Sequence, residues 1–145
     1  MAAERPDLFL LDTSYRGQTL RNERNGVAPW PEEVIERISA GIQAISVMTV
    51  AEERSGEISG NWSRQRRQES DKLRRALLWI PLDEAIVDRW AALTAECRTV
   101  GLTGPGDNDC WIAATAIERD AVLVTCDVQQ SRLPGLCDPI YLVPV

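Results

Sequence analysis

Short apolar segments alternate with longer amphipathic segments along this chain, and this alternation constrains its fold more than any other feature. The first apolar segment, Leu8 to Leu11, has no polar position and ends at Asp12. A strand that is apolar on both faces is typical of a parallel sheet covered by helices. Further strands are expected around Ala44 to Val47, within "ALLWIPL", in "AVLVT" and in "IYLV". The pattern predicts an α/β fold, a three-layer α/β/α sandwich with a mainly parallel sheet, in which residues 1–145 form one domain.

Residues that favour helix N-termini mark where the predicted helices begin. Pro31 suits the first helical position, because it has no amide proton and its φ is already near the helical value. Thr49 and Glu52 have the spacing of a capping box, in which Thr49 caps the helix and Glu52 reaches back to its amide. The other predicted starts are at about Ser14 and Asn61, and at the capping residues Asp83 and Asp107.

The composition excludes several kinds of chemistry. The chain contains no histidine, which excludes Ser-His-Asp and Cys-His catalysis and histidine ligands to zinc. Its four cysteines are far apart and show no CxxC spacing. We therefore expect the cysteines to be small buried hydrophobic residues, without a zinc site or a disulfide framework. Proton transfer would have to come from carboxylates, lysine or a metal.

Charge and hydropathy indicate where the protein acts. No apolar stretch approaches the roughly 18 residues that a membrane span needs, so we expect no membrane association. The N-terminal segment "MAAERPD" lacks the features of a signal peptide, and a cytoplasmic location is the expectation. The formal net charge of −6 argues against indiscriminate binding of polyanions. The segment "RQRRQESDKLRR", from Arg64 to Arg75, is nevertheless basic, and it is either a nucleic-acid-binding surface or a solvated helix face.

Four acidic residues are predicted to meet at one edge of the sheet. They follow strands or open the helices after them, and they are Asp12, Glu52, Asp109 and Asp127. Ligand sites in such folds lie beyond the carboxyl ends of the strands. Taken singly, each of Asp12, Glu52 and Asp127 also has a local explanation as a helix cap or a turn residue.

Helical geometry separates Asp109 from Asp107. At about 100° per residue, Asp109 lies on the same side of its helix as Ile112 and Ala116, so it continues an apolar stripe. Burying an unpaired carboxylate is costly unless a cation or several donors compensate it. Asp107 follows Gly-Pro-Gly and suits the N-cap position.

A divalent cation would relieve the repulsion among four converging carboxylates. Hard oxygen ligands favour Mg²⁺, with Mn²⁺ as an alternative. Such a cation acidifies bound water and neutralises charge on a phosphodiester. Thr13 and Thr125 lie beside the acids and are expected to orient the ligands or water.

The motifs that carry these acids occur in a recognisable order. "LLDTS", "ISVMTVAEERSG", "NDCWIAATA" and "VLVTCD" resemble the PIN-domain ribonucleases, most closely the VapC-type toxins of bacterial type II toxin-antitoxin pairs. The resemblance implies magnesium ligands at Asp12, Glu52, Asp109 and Asp127. It also implies an RNA substrate, a cognate antitoxin that covers the acidic site, and a homodimer. The chain departs from the family after Asp127, where Val128, Gln129 and Gln130 stand in place of a second aspartate and a phenylalanine.

An RNA substrate would need positive charge near the acids. The candidate contacts are Arg16, Arg64, Arg66 and Arg67. We expect Trp79, Trp90 and Trp111 to pack in the core. Trp30 and Trp62 lie in connecting segments and are candidates for a partner interface.

The sequence thus predicts a magnesium-dependent endoribonuclease that acts as the growth-inhibiting toxin of a toxin-antitoxin pair. Two alternatives stay open. One is another metal-dependent phosphoryl-transfer enzyme, such as a haloacid-dehalogenase-like phosphatase, although Ser14 stands where that family has its second aspartate. The other is a PIN-like domain that binds RNA or protein without cleaving it.

Overall fold

The computed structural model describes residues 5–27 and 30–144, and its helices lie on both faces of one sheet. None of the helices in these residues is long and apolar enough to cross a bilayer. In chain order the elements are β1 (Leu8–Leu11), α1 (Thr13–Arg24), α2 (Glu32–Ser39), β2 (Ile42–Ser46), α3 (Val47–Ser59), α4 (Arg64–Arg75), β3 (Leu78–Ile80), α5 (Glu84–Thr99), α6 (Asp107–Glu118), β4 (Val122–Thr125), α7 (Val128–Ser131) and β5 (Ile140–Tyr141).

The sheet has five parallel strands in the order β3-β2-β1-β4-β5. β1 lies at its centre, where Leu10 pairs with Ala44 of β2 on one side and with Leu123 of β4 on the other. Parallel strands present their carboxyl ends at the same edge. The predicted α/β sandwich with a parallel sheet is confirmed, and the central strand delivers Asp12 to the middle of that edge.

Successive side chains of β1 belong to two hydrophobic clusters, one on each face of the sheet. Leu10 belongs to a cluster with Ile86 of α5 and Ile112 of α6. Phe9 and Leu11 face the opposite side of the sheet, where they join a cluster with Ile38 of α2. Successive side chains of a strand point to opposite faces, so the uniformly apolar segment is explained by helices on both sides.

Two predicted boundaries near the second strand are wrong. The strand ends at Ser46, and Val47 is already the first residue of α3. The hydroxyl of Ser46 accepts a hydrogen bond from the amide of Met48 at 3.0 Å and caps the helix. Thr49 is therefore a buried residue of the first turn and not the N-cap, and no capping box joins it to Glu52.

Two of the other helix starts differ from the predictions, and one agrees with them. Pro31 is the N-cap of α2 and not its first helical residue. Helix α4 begins at Arg64 and not at about Asn61, because Ser63 is its N-cap. Asn61 has a positive φ of 52°, which lies outside the helical range. Asp83 caps α5 as predicted, because its carboxylate accepts from the amide of Ile86 at 2.9 Å.

The cysteines and tryptophans are distributed unevenly. Cys97 and Cys110 are buried as expected, Cys126 is half-buried, and Cys137 is exposed, contrary to the prediction. Trp79, Trp90 and Trp111 are half-buried and pack against the cores, as expected. Trp30, proposed as an interface residue, is instead a core residue with 7% of its surface exposed, stacked on Tyr15.

Candidate active site

Asp12 ends the central strand and starts the first helix. Its amide donates to the carbonyl of Val124 at 2.9 Å, which extends the pairing of β1 with β4 by one residue. Its carboxylate then caps α1 by accepting from the amide of Ser14 at 3.3 Å. Only 2% of Asp12 is exposed. The local explanation as a cap is confirmed, and it fixes where the carboxylate lies.

Hydroxyl groups from two elements surround the Asp12 carboxylate. The hydroxyl of Thr125, at the end of β4, donates to Asp12 Oδ2 at 2.9 Å. The hydroxyl of Ser14 donates to the same oxygen and in turn accepts from the amide of Cys126 at 3.0 Å. The orienting role predicted for Thr125 agrees with this geometry. Ser14 was missed, although its position two residues after a strand-ending aspartate is typical of such a contact.

Glu52 and Thr13 are joined across two helices. The hydroxyl of Thr13, the first residue of α1, donates to Glu52 Oε1 at 2.9 Å. Thr13 also lies 3.1 Å from the hydroxyl of Thr49, one turn before Glu52 on α3. The two residues therefore lie beside Asp12 at the same edge of the sheet, as predicted, although Glu52 is not held by a capping box.

Asp109 occupies the third helical position of α6, and its carboxylate reaches back to the N-cap residue. Its Oδ2 accepts from the amide of Gly106 at 3.2 Å, and Gly106 is the N-cap. Asp107 is the exposed first residue of the helix and makes no cap. The assignment of Asp107 as the N-cap is wrong, because the backbone becomes helical one residue earlier than expected. The predicted inward side of α6 is confirmed by the burial of Ile112, Ala113 and Ala116.

Burial and mutual repulsion perturb two of these acids. Burial raises the pKa of Glu52, and the nearby negative charges of Asp12 and Asp109 raise it further. Burial likewise raises the pKa of Asp109, and the charges of Asp12 and Asp127 add to the increase. Each acid thus responds to the charge of others in the set. The raised pKa values of Glu52 and Asp109 therefore reflect both burial and the negative charge of neighbouring acids at this edge.

Asp127 has a clear structural role. It is the N-cap of the short helix α7, and its Oδ1 accepts from the amides of Gln129 at 2.9 Å and Gln130 at 3.4 Å. Its expected function as a turn initiator is confirmed. Its role as a ligand stays a prediction.

The donors at this edge are oxygen atoms, which hard cations prefer. Within residues 5–27 and 30–144, no group of three or more His, Cys, Asp or Glu side chains has an arrangement that could hold a metal ion. The available donors are all carboxylate and hydroxyl oxygens, and an open cleft of about 320 Å³ borders Glu52 and Asp109. Mg²⁺ keeps several waters and needs few carboxylates. Of the hard cations, Mg²⁺ would make the smaller demand on these carboxylates, because Ca²⁺ takes about six to eight oxygen ligands.

Cys126 lies beside the site but does not have the properties of a nucleophile. Burial raises the pKa of Cys126 to about 11, and the charge of Asp12 adds to the increase. A thiol in this state is not the thiolate that nucleophilic catalysis requires. The carboxylates remain the chemically relevant groups of this edge.

The predicted RNA contacts divide into two groups. Arg16 is half-buried and engages Glu53 through Nε at 2.6 Å and Nη2 at 3.0 Å, so its guanidinium already has a bidentate partner. Arg64, Arg66 and Arg67 lie exposed in the first turn of α4. Arg66 lies over the ring of Trp62, 3.5 Å from its centroid.

Trp62 precedes this basic turn, in the segment between α3 and α4. It is half-buried and lines a groove of about 370 Å³ that reaches Thr13 and also includes Arg21 and Arg24. The groove is lined by residues of α1 and α3 and by Ser70 of α4. Glu53 and Glu57 also border it, so its lining carries both positive and negative charge.

The family is settled by comparison with known proteins. Residues 9–136 match the family model described as "PIN domain". The chain belongs to the PIN-domain family. Among curated relatives, Ribonuclease VapC4 of Mycobacterium tuberculosis is 34% identical over 94 residues, which are 63% of this chain and 72% of that protein. Ribonuclease VapC8 of the same species is 36% identical over 110 residues, which are 74% of this chain and 88% of that protein.

Solved structures support the same fold. VapBC-1 from nontypeable Haemophilus influenzae aligns with a TM-score of 0.73 at 22% identity, covering 94% of this chain and 97% of that one. A DNA-bound VapBC from Salmonella typhimurium aligns with a TM-score of 0.71 at 24% identity, covering 90% and 95%. The family model and the curated relatives confirm the resemblance to VapC-type PIN domains, and they give no support to the haloacid-dehalogenase-like alternative.

Proposed function

We propose that this protein is a magnesium-dependent endoribonuclease and the toxin of a toxin-antitoxin pair. The observation that carries the proposal is the meeting of acids at the carboxyl edge of the sheet. Asp12 follows the central strand, Thr13 beside it donates to Glu52 at 2.9 Å, and Glu52 and Asp109 line one cleft. Such a group favours a cation at the carboxyl edge of the sheet. Similarity to relatives named as ribonucleases, at 34% and 36% identity, supports RNA as the proposed substrate.

Each residue of the site has a distinct part in this proposal. Asp12, Glu52 and Asp109 would hold Mg²⁺, with Mn²⁺ as an alternative, and Asp127 would complete the set directly or through water. When bound, the cation supplies an acidified water and neutralises charge on the phosphodiester. Thr13 orients Glu52, and Thr125 orients Asp12.

Removal of the metal tests the proposal directly. The purified chain is expected to cleave RNA in Mg²⁺ or Mn²⁺, to lose cleavage in EDTA, and to recover it when Mg²⁺ is restored. Cleavage fragments on a denaturing gel provide the measurement, with an Asp12→Asn variant prepared identically as the control for contaminating nuclease. Full activity in EDTA would contradict the metal. No cleavage of any RNA, with binding retained, would favour the non-cleaving alternative.

We place the RNA along the groove next to Trp62. Arg64, Arg66 and Arg67 form the exposed basic turn of α4, and RNA affinity depends mainly on neutralising phosphates. Trp62 offers an aromatic face for a base, as in many single-strand-binding proteins, once the Arg66 side chain moves from it to a phosphate. Arg16 stays a candidate contact, although its pairing with Glu53 favours a role in joining α1 to α3.

Charge reversal of Arg66 and Arg67 is expected to weaken RNA binding and to flatten its salt dependence. Each lost phosphate contact removes about 0.7 from the slope of log K against log salt concentration for a single strand. Fluorescence anisotropy of a labelled RNA at several salt concentrations, in EDTA to prevent cleavage, measures the slope. The control is Arg98→Glu, an exposed position near the end of α5. If the double variant keeps the wild-type slope, the basic turn is only a solvated face.

We also infer a cognate antitoxin and a homodimer. The aligned solved structures include toxin-antitoxin complexes, for example one from Klebsiella pneumoniae with a TM-score of 0.61. An acidic site with unsatisfied negative charge suits an arginine from a partner segment. Growth arrest on expression, relieved by coexpression of a small neighbouring gene, would identify the antitoxin. Sedimentation of the purified chain would test the dimer.

A further inference from the structure

Gln130 lies in an unusual place for a glutamine. It belongs to α7 and is fully buried, with 0% of its surface exposed, whereas glutamine is mostly exposed in folded proteins. Its side-chain amide contacts both carboxylate oxygens of Asp12, at 2.8 Å from Oδ2 and 3.0 Å from Oδ1. A buried amide directly against the central acid of the site calls for an explanation beyond packing.

Chemistry sets the orientation of this amide. An amide oxygen at 2.8 Å from a carboxylate oxygen would bring two acceptors together. The orientation in which Nε2 faces Asp12 instead gives a charge-assisted hydrogen bond to each oxygen. The Gln130 amide is therefore a donor to the whole carboxylate of Asp12.

The donors around Asp12 are shared unevenly between its two oxygens. Oδ2 accepts from the amide and hydroxyl of Ser14 and from the Thr125 hydroxyl as well as from Gln130. For Oδ1, Gln130 is the donor found within the described part of the chain. Rotation of the carboxylate is thus opposed from both sides, and Oδ1 keeps a lone pair for another partner.

The main chain fixes Gln130 through Asp127. The Asp127 carboxylate accepts from the Gln129 and Gln130 amides and starts α7, and the Asp127 amide donates to the Thr125 hydroxyl at 3.0 Å. Thr125 in turn donates to Asp12. Asp127 therefore reaches Asp12 along two routes, through Gln130 and through Thr125.

We propose that Gln130 is a positioning residue that holds the Asp12 carboxylate in one orientation for the cation, and that Asp127 acts on the site partly by placing Gln130. The proposal rests on the proposed function in so far as it involves the cation. It also gives a role to a residue where the chain departs from the family pattern.

Magnesium affinity is the first test. In isothermal titration calorimetry, Gln130→Met is expected to bind Mg²⁺ about tenfold or more weakly than the wild type, since loss of a group that orients a ligand commonly costs this much. Methionine has nearly the same volume but cannot donate. Gln129→Met makes the same chemical change at the exposed neighbouring position and is expected to bind as the wild type does. Equal affinity in a folded Gln130→Met protein would overturn the proposal.

Side-chain NMR provides a second test that does not require any variant at Gln130 to fold. In the ¹⁵N spectrum of the wild type, the Gln130 side-chain amide is expected to exchange slowly with solvent and to shift on addition of Mg²⁺. The exposed Gln129 amide serves as the control in the same spectrum. Rapid exchange of both amides, or a Gln130 resonance that Mg²⁺ leaves unchanged while others move, would overturn the proposal.

The two tests separate this inference from the proposed function. A wild-type chain that binds no Mg²⁺ and cleaves no RNA would overturn the proposed function and the cation part of the inference. Slow exchange of the Gln130 amide would still support its contact with Asp12. Wild-type Mg²⁺ binding that is lost in Asp12→Asn but unchanged in Gln130→Met would leave the proposed function standing and overturn the inference alone.

Discussion

Asp109→Asn is expected to reduce magnesium-dependent RNA cleavage by about 100-fold or more and to relieve growth arrest on expression. The carboxylate lies at the cleft, and its raised pKa reflects burial first and the charges of Asp12 and Asp127 next. Removing a proposed ligand should exceed the 10–100-fold cost of losing a group that merely orients a ligand. Initial rates of cleavage of one RNA at saturating Mg²⁺ measure the effect.

Asp107→Asn is the matched control for this substitution. Asp107 lies two residues away on the same helix turn, is exposed, and does not cap α6. The change therefore removes the same charge near the same cleft without removing an inward carboxylate. We expect near wild-type cleavage and little change in stability. Equal losses of activity in the two variants would contradict the separate roles assigned to Asp107 and Asp109.

The same Asp109→Asn protein is expected to be more stable than the wild type at pH 7 in EDTA. Folding raises the pKa of Asp109. Its contribution to the free energy of unfolding is therefore present at low pH and is lost as the pH rises through the folded pKa. A neutral asparagine avoids the repulsion and can still accept from the Gly106 amide. A rise in Tm on the order of a few degrees would follow. A lower Tm would mean that loss of activity reflects misfolding.

Arg74→Met is expected to cost about 3–5 kcal/mol of unfolding free energy, because it leaves a buried carboxylate without its partner. Arg74 is 0% exposed, and its guanidinium donates to Glu57 at 2.5 Å and 3.1 Å and to Asp71 at 2.6 Å. A weaker contact at 3.3 Å reaches Glu53. Glu57 is only 5% exposed and would be the acid left unpaired.

The pH dependence distinguishes this ion pair from simple packing. Burial would raise the pKa of Glu57, but hydrogen bonds from Arg74 and Ser70 outweigh it, and the net pKa is lowered. A lowered folded pKa contributes stability above the unfolded value, about 4.3, and loses it as the pH falls through the folded pKa. The difference in stability between wild type and Arg74→Met should therefore shrink below about pH 4.

Urea denaturation at several pH values measures this difference. Arg75→Met is the control, since Arg75 is the exposed neighbour on the same helix. It is expected to change the unfolding free energy by no more than about 0.5 kcal/mol. A small effect of Arg74→Met at pH 7, comparable to that of Arg75→Met, would contradict the buried network.

The network also explains why α3 and α1 keep their positions at the site. Glu53 accepts from Arg16 of α1 and from Arg74 of α4, and it is adjacent to Glu52. Three helices are thus tied together one residue away from a proposed ligand. The same contacts reduce the number of arginines that are free to meet RNA.

The strands and the position of the acids could be predicted from the sequence because they depend on short-range regularities. β1 was predicted at Leu8–Leu11, and the structure has it there. The inward side of Asp109 follows from the helical repeat alone. Acids at the ends of parallel strands must share one edge, whatever the details of packing.

Helix starts were less predictable, because several polar residues compete for each cap. Ser46, and not Thr49, caps α3, and Gly106 stands at the N-cap where Asp107 was expected. The choice depends on which residue leaves the extended backbone first. The point at which the preceding strand or loop ends in the folded protein decides which residue this is. The preferences of residue types for the N-cap position differ too little to decide it from the sequence.

Contacts between distant segments were decided by the tertiary structure alone. A run of basic residues indicates a solvated face, yet packing of α4 against α3 buries Arg74 on Glu57. Gln130 and Thr125 lie more than a hundred residues from Asp12 in sequence and touch its carboxylate only because β4 pairs with β1. The sequence by itself determined which acids share an edge, since strand and helix periodicity are local. Only the folded chain decided which donors hold those acids in place, since that depends on which side chains the packed helices bring together.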